Sequence, residues 1–403
     1  MGQKSKTILI LGNGFDLAHS LPTRYSDFLE FCKRVINISE DNFKAKWIDN
    51  WKTDESIRHL ILEEHKYRQG KGEITNYNVV VTEIISLLNN NIWYHYFSQI
   101  YKDKSIRGEN WIDFESEIRF IIESIDRMSL SLIDQWEKIK NNDFKMQKFC
   151  RSIQESYTYN VKTIKSLRES AYKDLEKLIR VLELYLSVFV EKIKINIRIP
   201  EIESLNPDYV ISFNYTHTYE RIYKKGAVYH IHGEADYNRP LENNNMVLGI
   251  DEYWLDEDRN NKTDFTIFKK FAQRIQKHTG NESYKYLKEI RELFDKEGSG
   301  NIWTGNIDQS KDQPNGISYV YVFGHSLDVT DKDILSSFIG DKATAVTVYC
   351  YDKGTEGDLI ANTIKLIGEE ELIDKVNDVP PKLRYVIQGS VRHLEDTSEP
   401  VLN

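Results

Sequence analysis

The chain has 403 residues, of which 40% are hydrophobic and 29% are charged, so its length allows more than one domain and its composition excludes an intrinsically disordered protein. The formal net charge of −9 argues against a general nucleic-acid binder, because phosphate contacts need a concentrated basic surface. No stretch approaches the roughly 18 apolar residues of a membrane span, and the N-terminal apolar run is too short for a signal peptide. A cytoplasmic protein is expected.

The first predicted element is a strand over residues 7–11, followed by a glycine loop. The continuous apolar run Thr-Ile-Leu-Ile-Leu is typical of a strand that is buried on both faces of a parallel sheet. Gly12 and Gly14 let the backbone turn sharply and let a phosphate approach the amides of residues 12–15. Position 17 is Leu, so the three-glycine dinucleotide fingerprint is incomplete. A plain structural turn and a phosphate loop both stay open.

The region 26–204 is predicted to be helical almost throughout. Apolar residues repeat every three or four positions over 25–36, 79–97, 111–125 and 167–195, and the asparagines at 89–91 are predicted to break the second of these segments. The group Trp111-Ile112-Asp113-Phe114-Glu115 lies in this region. Its acids either serve a site or form the solvated first turn of a helix.

The region 205–403 returns to strands that alternate with helices. Strands are predicted over 208–213, 227–231, 245–249, 318–323 and 345–351, and helices over 264–277, 283–296, 331–339 and 357–367. The strand at 7–11 needs partners that only this region supplies. The sequence therefore predicts a Rossmann-like, mostly parallel α/β sheet built from residues 1–25 and 205–403, interrupted by an all-helical insertion of residues 26–204.

Asn214 follows the predicted strand 208–213 directly. Ligands of open α/β sheets bind at the carboxyl ends of the strands, where an amide side chain could hold a ribose hydroxyl or a water. A loop-capping asparagine is the alternative.

Two histidines, His230 and His232, stand one residue apart before Gly233. On one strand they would face the same side, as a metal pair does, but no further ligand stands nearby in sequence, so no metal is expected. A general base before the glycine and a hydrogen-bonded core histidine are the other interpretations.

The segment Gly324-His325-Ser326 follows another hydrophobic strand. Gly324 could let a ligand lie against the backbone, and Ser326 offers a hydroxyl. Residue 328 is Asp, so the segment is not a serine-hydrolase nucleophile elbow. The cysteines Cys32, Cys150 and Cys350 are isolated in sequence and are expected in the core.

Taken together, these motifs resemble the bacterial abortive-infection AbiH family. The resemblance rests on the opening Gly-Asn-Gly-Phe-Asp and Leu-Pro-Thr groups, on the Trp-x-Asp-x-Glu group, and on Phe-Asn-Tyr-Thr, His-Ile-His-Gly and Gly-His-Ser-Leu, which stand in that order at 12–16, 21–23, 111–115, 213–216, 230–233 and 324–327.

The loops are also similar to those of the sirtuin-like NAD-binding fold. Gly12 and Gly14 match the sirtuin-type glycine loop, whereas Asp16 stands where a serine is usual. His232-Gly233 resembles the sirtuin-type His-Gly, in which the histidine is the catalytic base. The scattered cysteines cannot form the zinc module of sirtuin deacetylases, so the likeness points to the sirtuin-like domains of phage-defence proteins that hydrolyse NAD.

These resemblances imply an anti-phage NAD glycohydrolase with NAD as its ligand, a homo-oligomeric state and a phage-derived trigger. The implied catalytic residues are Asn214 and His232, and the implied nucleotide-binding residues are Gly12, Asn13, Gly14, Phe15, Asp16, Thr23, Gly324 and Ser326. The acids Asp16, Asp113 and Glu115 could lend negative charge near a developing cation. A nucleotide sensor without turnover and a metal-dependent nuclease toxin are the alternative functions.

Overall fold

The computed structural model describes residues 5–39, 51–73, 77–127, 143–156, 163–280, 282–298, 317–389 and 392–393. The backbone forms two compact units. The first comprises Met1–Ser20, Lys194–His232 and Thr279–Asn403, and the second comprises Leu21–Ile193 and Gly233–His278. Within the described ranges, no helix has both the length and the apolar character that crossing a membrane requires.

The strands of the main sheet and the helices are labelled here in chain order. The strands are β1 (Thr7–Leu11), β2 (Tyr209–Ser212), β3 (Ala227–His230), β4 (Ser318–Phe323), β5 (Thr344–Cys350) and β6 (Leu383–Ile387). The helices are α1 (Asn13–Ala18), α2 (Tyr25–Ile36), α3 (Glu55–Arg68), α4 (Asn78–Leu88), α5 (Ile92–Ile106), α6 (Phe114–Asp126), α7 (Phe144–Ser156), α8 (Ile164–Leu184), α9 (Pro200–Ser204), α10 (Thr218–Ile222), α11 (Asp256–Asn261), α12 (Lys270–Gln276), α13 (Glu282–Gly298), α14 (Lys332–Ile339), α15 (Lys353–Ile367) and α16 (Glu369–Asn377).

The first unit is built on a six-stranded parallel sheet in the order β3-β2-β1-β4-β5-β6. The predicted mixed α/β class with a parallel sheet is confirmed. Strand β6 was not predicted, and a further pair of two-residue strands, Ile197–Arg198 and Arg392–His393, forms a small antiparallel sheet.

Strand β1 is buried on both faces, as its apolar run predicts. Ile8 and Ile10 pack in a core with residues of α13, α14, α15 and α16, whereas Leu9 and Leu11 pack in a second core with Phe15. This alternation follows from the two-residue period of a strand. The carboxyl end of β1 therefore lies between two hydrophobic cores, which support the loop after β1.

The second unit contains α2 to α8, and its aromatic side chains form much of its core. The rings of Phe97 and Phe114 stack at 4.1 Å between centroids, and Tyr25 stacks on the same Phe114 at 4.2 Å. The predicted break at 89–91 is confirmed, because α4 ends at Leu88 and the Asn91 side chain caps α5 by accepting from the Tyr94 amide at 3.0 Å.

Residues 233–278 belong to the helical unit, whereas the sequence assigned them to the α/β domain. Ion pairs explain the difference: the buried Lys270 ammonium lies 2.7 Å from Glu115, and Arg119 lies 2.6 Å from Asp251. A buried charge needs such a partner, so these residues fix the segment to α6.

The predicted strand at 245–249 is wrong. The backbone there is bonded by side chains in place of a neighbouring strand, since the Met246 amide donates to Asn244 Oδ1 at 2.9 Å and the Leu248 amide donates to Gln273 Oε1 at 3.1 Å. Gln273 also donates to the Leu248 carbonyl at 3.0 Å. The apolar residues are buried as a strand would bury them, but without a ladder.

Candidate functional site

The loops that the sequence singled out lie at the carboxyl edge of the first unit's sheet. They follow β1, β2, β3 and β4, whose parallel direction brings their ends to one side. The order reverses between β1 and β4, because β2 and β3 continue on one side of β1 while β5 and β6 continue beyond β4. In open parallel sheets this reversal point is where ligands bind.

The loops after β1 and β4 meet through their glycines. The Gly14 amide donates to the Gly324 carbonyl at 2.7 Å, and Gly324 has a φ of +69°. A Cβ on Gly324 would lie 2.2 Å from the Phe15 nitrogen, and one on Gly12 would lie 2.6 Å from His325 Cα. These glycines therefore permit two backbones to touch, which is a structural need that holds with or without a ligand.

The backbone amides that were predicted to contact a phosphate have hydrogen-bond partners within the protein. The amides of Gly12, Gly14 and Phe15 donate to the carbonyls of Phe323, Gly324 and Gly12, at 3.1, 2.7 and 2.9 Å. These groups thus have protein partners already. Asn13, the first residue of α1, is exposed.

The buried side chain of Asn214 links the loop after β2 to the loop after β1. Its Nδ2 donates to the Gly12 carbonyl at 3.0 Å, and its own amide donates to Ser212 Oγ at 3.2 Å. The side-chain oxygen of this amide, Oδ1, is a hydrogen-bond acceptor.

Asp16 also links the segment after β1 to the loop after β2. Its Oδ2 accepts from the Thr216 hydroxyl at 2.6 Å, and the Thr218 hydroxyl donates in turn to Thr216 Oγ1 at 3.1 Å. Asp16 is only 1% exposed. The carboxylate thus has a hydrogen-bond partner inside the protein, and the implied role of Asp16 at a nucleotide stays a prediction.

Phe15 is a core residue that supports His19. Its ring is buried and lies 4.5 Å from the His19 ring. His19 Nδ1 donates to the Phe15 carbonyl at 2.8 Å, so Nε2 of the neutral ring accepts from the Tyr223 hydroxyl at 3.1 Å. The same hydroxyl accepts from the Ile199 amide. Burial lowers the pKa of His19 from 6.5 to about 4, against a smaller rise from the Phe15 bond.

This buried histidine predicts a stability loss in mild acid. Because the pKa of His19 is lower in the folded chain than in the unfolded chain, the unfolded chain binds more protons between pH 6.5 and 4. Above pH 6.5, His19 therefore leaves the free energy of unfolding unchanged. Below pH 6.5, it lowers that free energy by about 1.4 kcal/mol per pH unit. We expect His19→Gln to flatten this slope in urea unfolding between pH 7 and 5. The exposed His59, changed to Gln, is the matched control, and equal slopes in both variants would contradict the account.

His232 forms a buried pair with an aspartate that the sequence did not single out. His232 Nε2 lies 2.8 Å from Asp331 Oδ1, and the second carboxylate oxygen lies 3.6 Å from Nε2 of His325. All three side chains are at least nine-tenths buried. The signal in the sequence was the acidic start of the helix after Gly324-His325-Ser326, since Asp328 and Asp331 both follow that loop.

His230 does not share the partners of His232. Strand β3 ends at His230, so the two side chains do not belong to one strand face as predicted. His230 Nε2 lies 2.8 Å from Glu220 Oε1, and its Nδ1 donates to the Asn214 carbonyl at 2.8 Å. Burial is the largest single influence on the pKa of Glu220 and raises it, but the hydrogen bond to His230 and several smaller interactions together outweigh it, so the net shift is downward. The predicted alternative of a metal pair at His230 and His232 is not supported by these contacts.

The remaining predicted residues differ in position and exposure. Ser326 is exposed on the loop after β4, and Gly324 beside it is half-buried. Thr23 belongs to the second compact unit and is half-buried there. Within that unit, Asp113 caps α6 by accepting from the Glu115 amide at 3.0 Å, and Glu115 pairs with Lys270. The structural interpretation of Asp113 as the start of a helix is thus supported.

A comparison with known protein families gives one match. A family model described as Bacteriophage abortive infection AbiH matches residues 8–351, a range that contains all the strand-end loops described above. No curated protein and no solved structure matches the chain.

Proposed function

We propose, from the premise that the chain belongs to the bacteriophage abortive infection AbiH family, that it is an anti-phage effector that binds NAD in its α/β unit and hydrolyses it to ADP-ribose and nicotinamide. The abortive-infection role follows from the family. The NAD chemistry is our proposal from the site.

The arrangement of the sheet supports a nucleotide ligand. Numbered along the chain, its strand order is 3-2-1-4-5-6, which is the order of dinucleotide-binding α/β sheets. The predicted glycine loop follows the first strand, where such sheets bind pyrophosphate. With the amides of Gly12, Gly14 and Phe15 already bonded, the exposed side chains of Asn13 and Ser326 are the groups we assign to the phosphates.

The observation that carries the proposal of turnover is the hydrogen bond between His232 and Asp331. A carboxylate that holds one imidazole nitrogen orients the ring and stabilises the imidazolium that forms when the other nitrogen takes a proton. A site that only binds a nucleotide has no need for such a pair. Its position directly after β3, at the ligand-binding edge, makes it a suitable general base.

The reaction balances without a metal or a second substrate. The bond between ribose C1′ and the pyridinium nitrogen breaks, its electron pair neutralises the pyridinium, and nicotinamide leaves without needing a proton. A water oxygen bonds to the oxocarbenium-like C1′, and His232 accepts the proton that this water loses. We assign Asn214 Oδ1 to orienting that water or a ribose hydroxyl.

The burial of both residues implies a gated effector. Asn214 is 7% exposed and His232 is 3% exposed, which supports a resting state that a bulky dinucleotide does not enter. An enzyme that destroys NAD must be silent in an uninfected cell, and a closed resting site meets that need.

The experiment that tests the function offers NAD and ADP-ribose to the purified protein, with and without lysate of phage-infected cells. Release of nicotinamide, with binding of ADP-ribose in calorimetry, would support a hydrolase. Binding of NAD without product would indicate the sensor, and cleavage of RNA or DNA only with added divalent metal would indicate the nuclease.

A further inference from the structure

We infer that Asp331 is a positioning residue for two imidazole rings, those of His232 and His325. It holds His232 in the tautomer whose basic lone pair is on Nδ1. The catalytic part of this inference rests on the proposed function, whereas the assignment of the protons rests on the geometry alone. The sequence analysis did not single out Asp331, which lies 99 positions from its partner.

The contacts of Asp331 show that one carboxylate faces two rings. Its Oδ1 is 2.8 Å from His232 Nε2, which is hydrogen-bond distance. Its Oδ2 is 3.6 Å from His325 Nε2, which is an electrostatic contact. Asp331 is 7% exposed, so neither interaction is weakened much by water.

The protons on both rings follow from their other contacts. The Leu327 amide donates to His325 Nδ1 at 2.9 Å, so the proton of a neutral His325 lies on Nε2 and points to the carboxylate. An ionised carboxylate only accepts, so His232 donates to it from Nε2. In neutral His232 the lone pair is then on Nδ1, and Nδ1 is the atom that we assign to proton transfer.

The surroundings hold this arrangement in one geometry. The Phe213 ring lies at steep angles to both imidazoles, 75° to His232 and 79° to His325, with centroid distances of 5.3 Å and 4.4 Å. Leu327 is fully buried, and its φ of +57° turns the backbone of the loop between His325 and Asp331. Rings fixed on two sides lose little freedom when they act on a substrate.

A carboxylate with this role differs from a carboxylate that only stabilises the fold. When a water adds to ribose C1′, its proton moves to His232 Nδ1, and the ring becomes an imidazolium between the water and Asp331. Asp331 stabilises that charge without taking the proton. The proton leaves to solvent when ADP-ribose departs. The electrostatic contact with His325 Nε2 helps to hold the carboxylate in this position.

The test compares Asp331→Asn with Asp333→Asn, an equal loss of charge at an exposed position two residues away. An asparagine can donate to His232 Nε2 and so reverse the tautomer, as a neutral partner does in a His–Asp pair. We expect Asp331→Asn to lower kcat for NAD by about 100- to 10,000-fold with KM changed by less than about threefold, and Asp333→Asn to match the wild type. Equal kcat in both variants would overturn the inference.

A spectroscopic readout keeps the inference testable apart from the NAD reaction. In wild-type protein with 15N-labelled histidine at pH 8, we expect long-range 15N–1H spectra to show protonated Nε2 and unprotonated Nδ1 for His232 and for His325. Spectra in which His232 carries its proton on Nδ1 would overturn the inference, whatever the substrate is. If the tautomers are as expected and no NAD is consumed, the proposed function fails and the positioning role stands.

Discussion

Replacing Gly324 with alanine is expected to lower the free energy of unfolding by about 3 kcal/mol or more, because two independent penalties apply at this position. Its φ of +69° lies in the left-handed region, which costs an L-residue about 1–2 kcal/mol. The added Cβ would lie 2.2 Å from the Phe15 nitrogen and 2.5 Å from the Gly14 carbonyl carbon, and backbone cannot move aside as a side chain does. Relieving that overlap separates the loops after β1 and β4.

The matched control is Gly357→Ala, on an exposed position of α15. No atom lies within 4 Å of a Cβ built there. Alanine is the better helix former, so we expect a change of at most about 1 kcal/mol in the stabilising direction. Urea unfolding followed by circular dichroism measures both variants. Similar midpoints for the two would mean that the glycine contact between the loops is not formed.

Replacing His232 with glutamine is expected to abolish NAD hydrolysis, with a loss of at least about 1,000-fold in kcat. Glutamine places an amide donor near the position of Nε2, so it can keep the hydrogen bond to Asp331 and spare the buried carboxylate. It has no lone pair basic enough to accept a proton from water. The variant therefore separates the loss of the base from the loss of the fold.

Two measurements show whether His232→Gln has lost only the base or also the fold. Its unfolding midpoint should stay close to that of the wild type, and it should still bind NAD in calorimetry, since the phosphate contacts that we assign to Asn13 and Ser326 are elsewhere. His59→Gln, on the exposed face of α3, should retain full turnover. If His232→Gln still releases nicotinamide at the wild-type rate, His232 is not the base.

The sequence predicted those parts of the fold that local pattern determines. The apolar run of β1, the alternating segments of β2 to β5 and the period of the helices each depend on near neighbours in the chain. β6 was missed because it is a short edge strand: Arg384 interrupts its apolar residues after Leu383, and Arg384 and Val386 are exposed. Residues 245–249 have a strand-like composition, but Gln273 provides backbone partners that no local pattern reveals.

The candidate site divides in the same way. Gly12, Asn214 and His232 could be named from the sequence because each directly follows a strand. Their actual partners could not be named, because Asn214 bonds to a residue 202 positions away and His232 to one 99 positions away. The resemblance implied a nucleotide for Phe15 and Asp16, but it could not reveal that Phe15 packs in the core or that Asp16 accepts from Thr216, 200 positions away.

The most direct test of the central claim measures NAD, nicotinamide and ADP-ribose by mass spectrometry in phage-infected cells that express the wild-type chain or His232→Gln. Cells supply the phage trigger that purified protein lacks. We predict that NAD falls while nicotinamide and ADP-ribose rise in wild-type cells after infection, and that the variant neither depletes NAD nor blocks the phage. Full protection by the wild-type chain with NAD unchanged would contradict the claim.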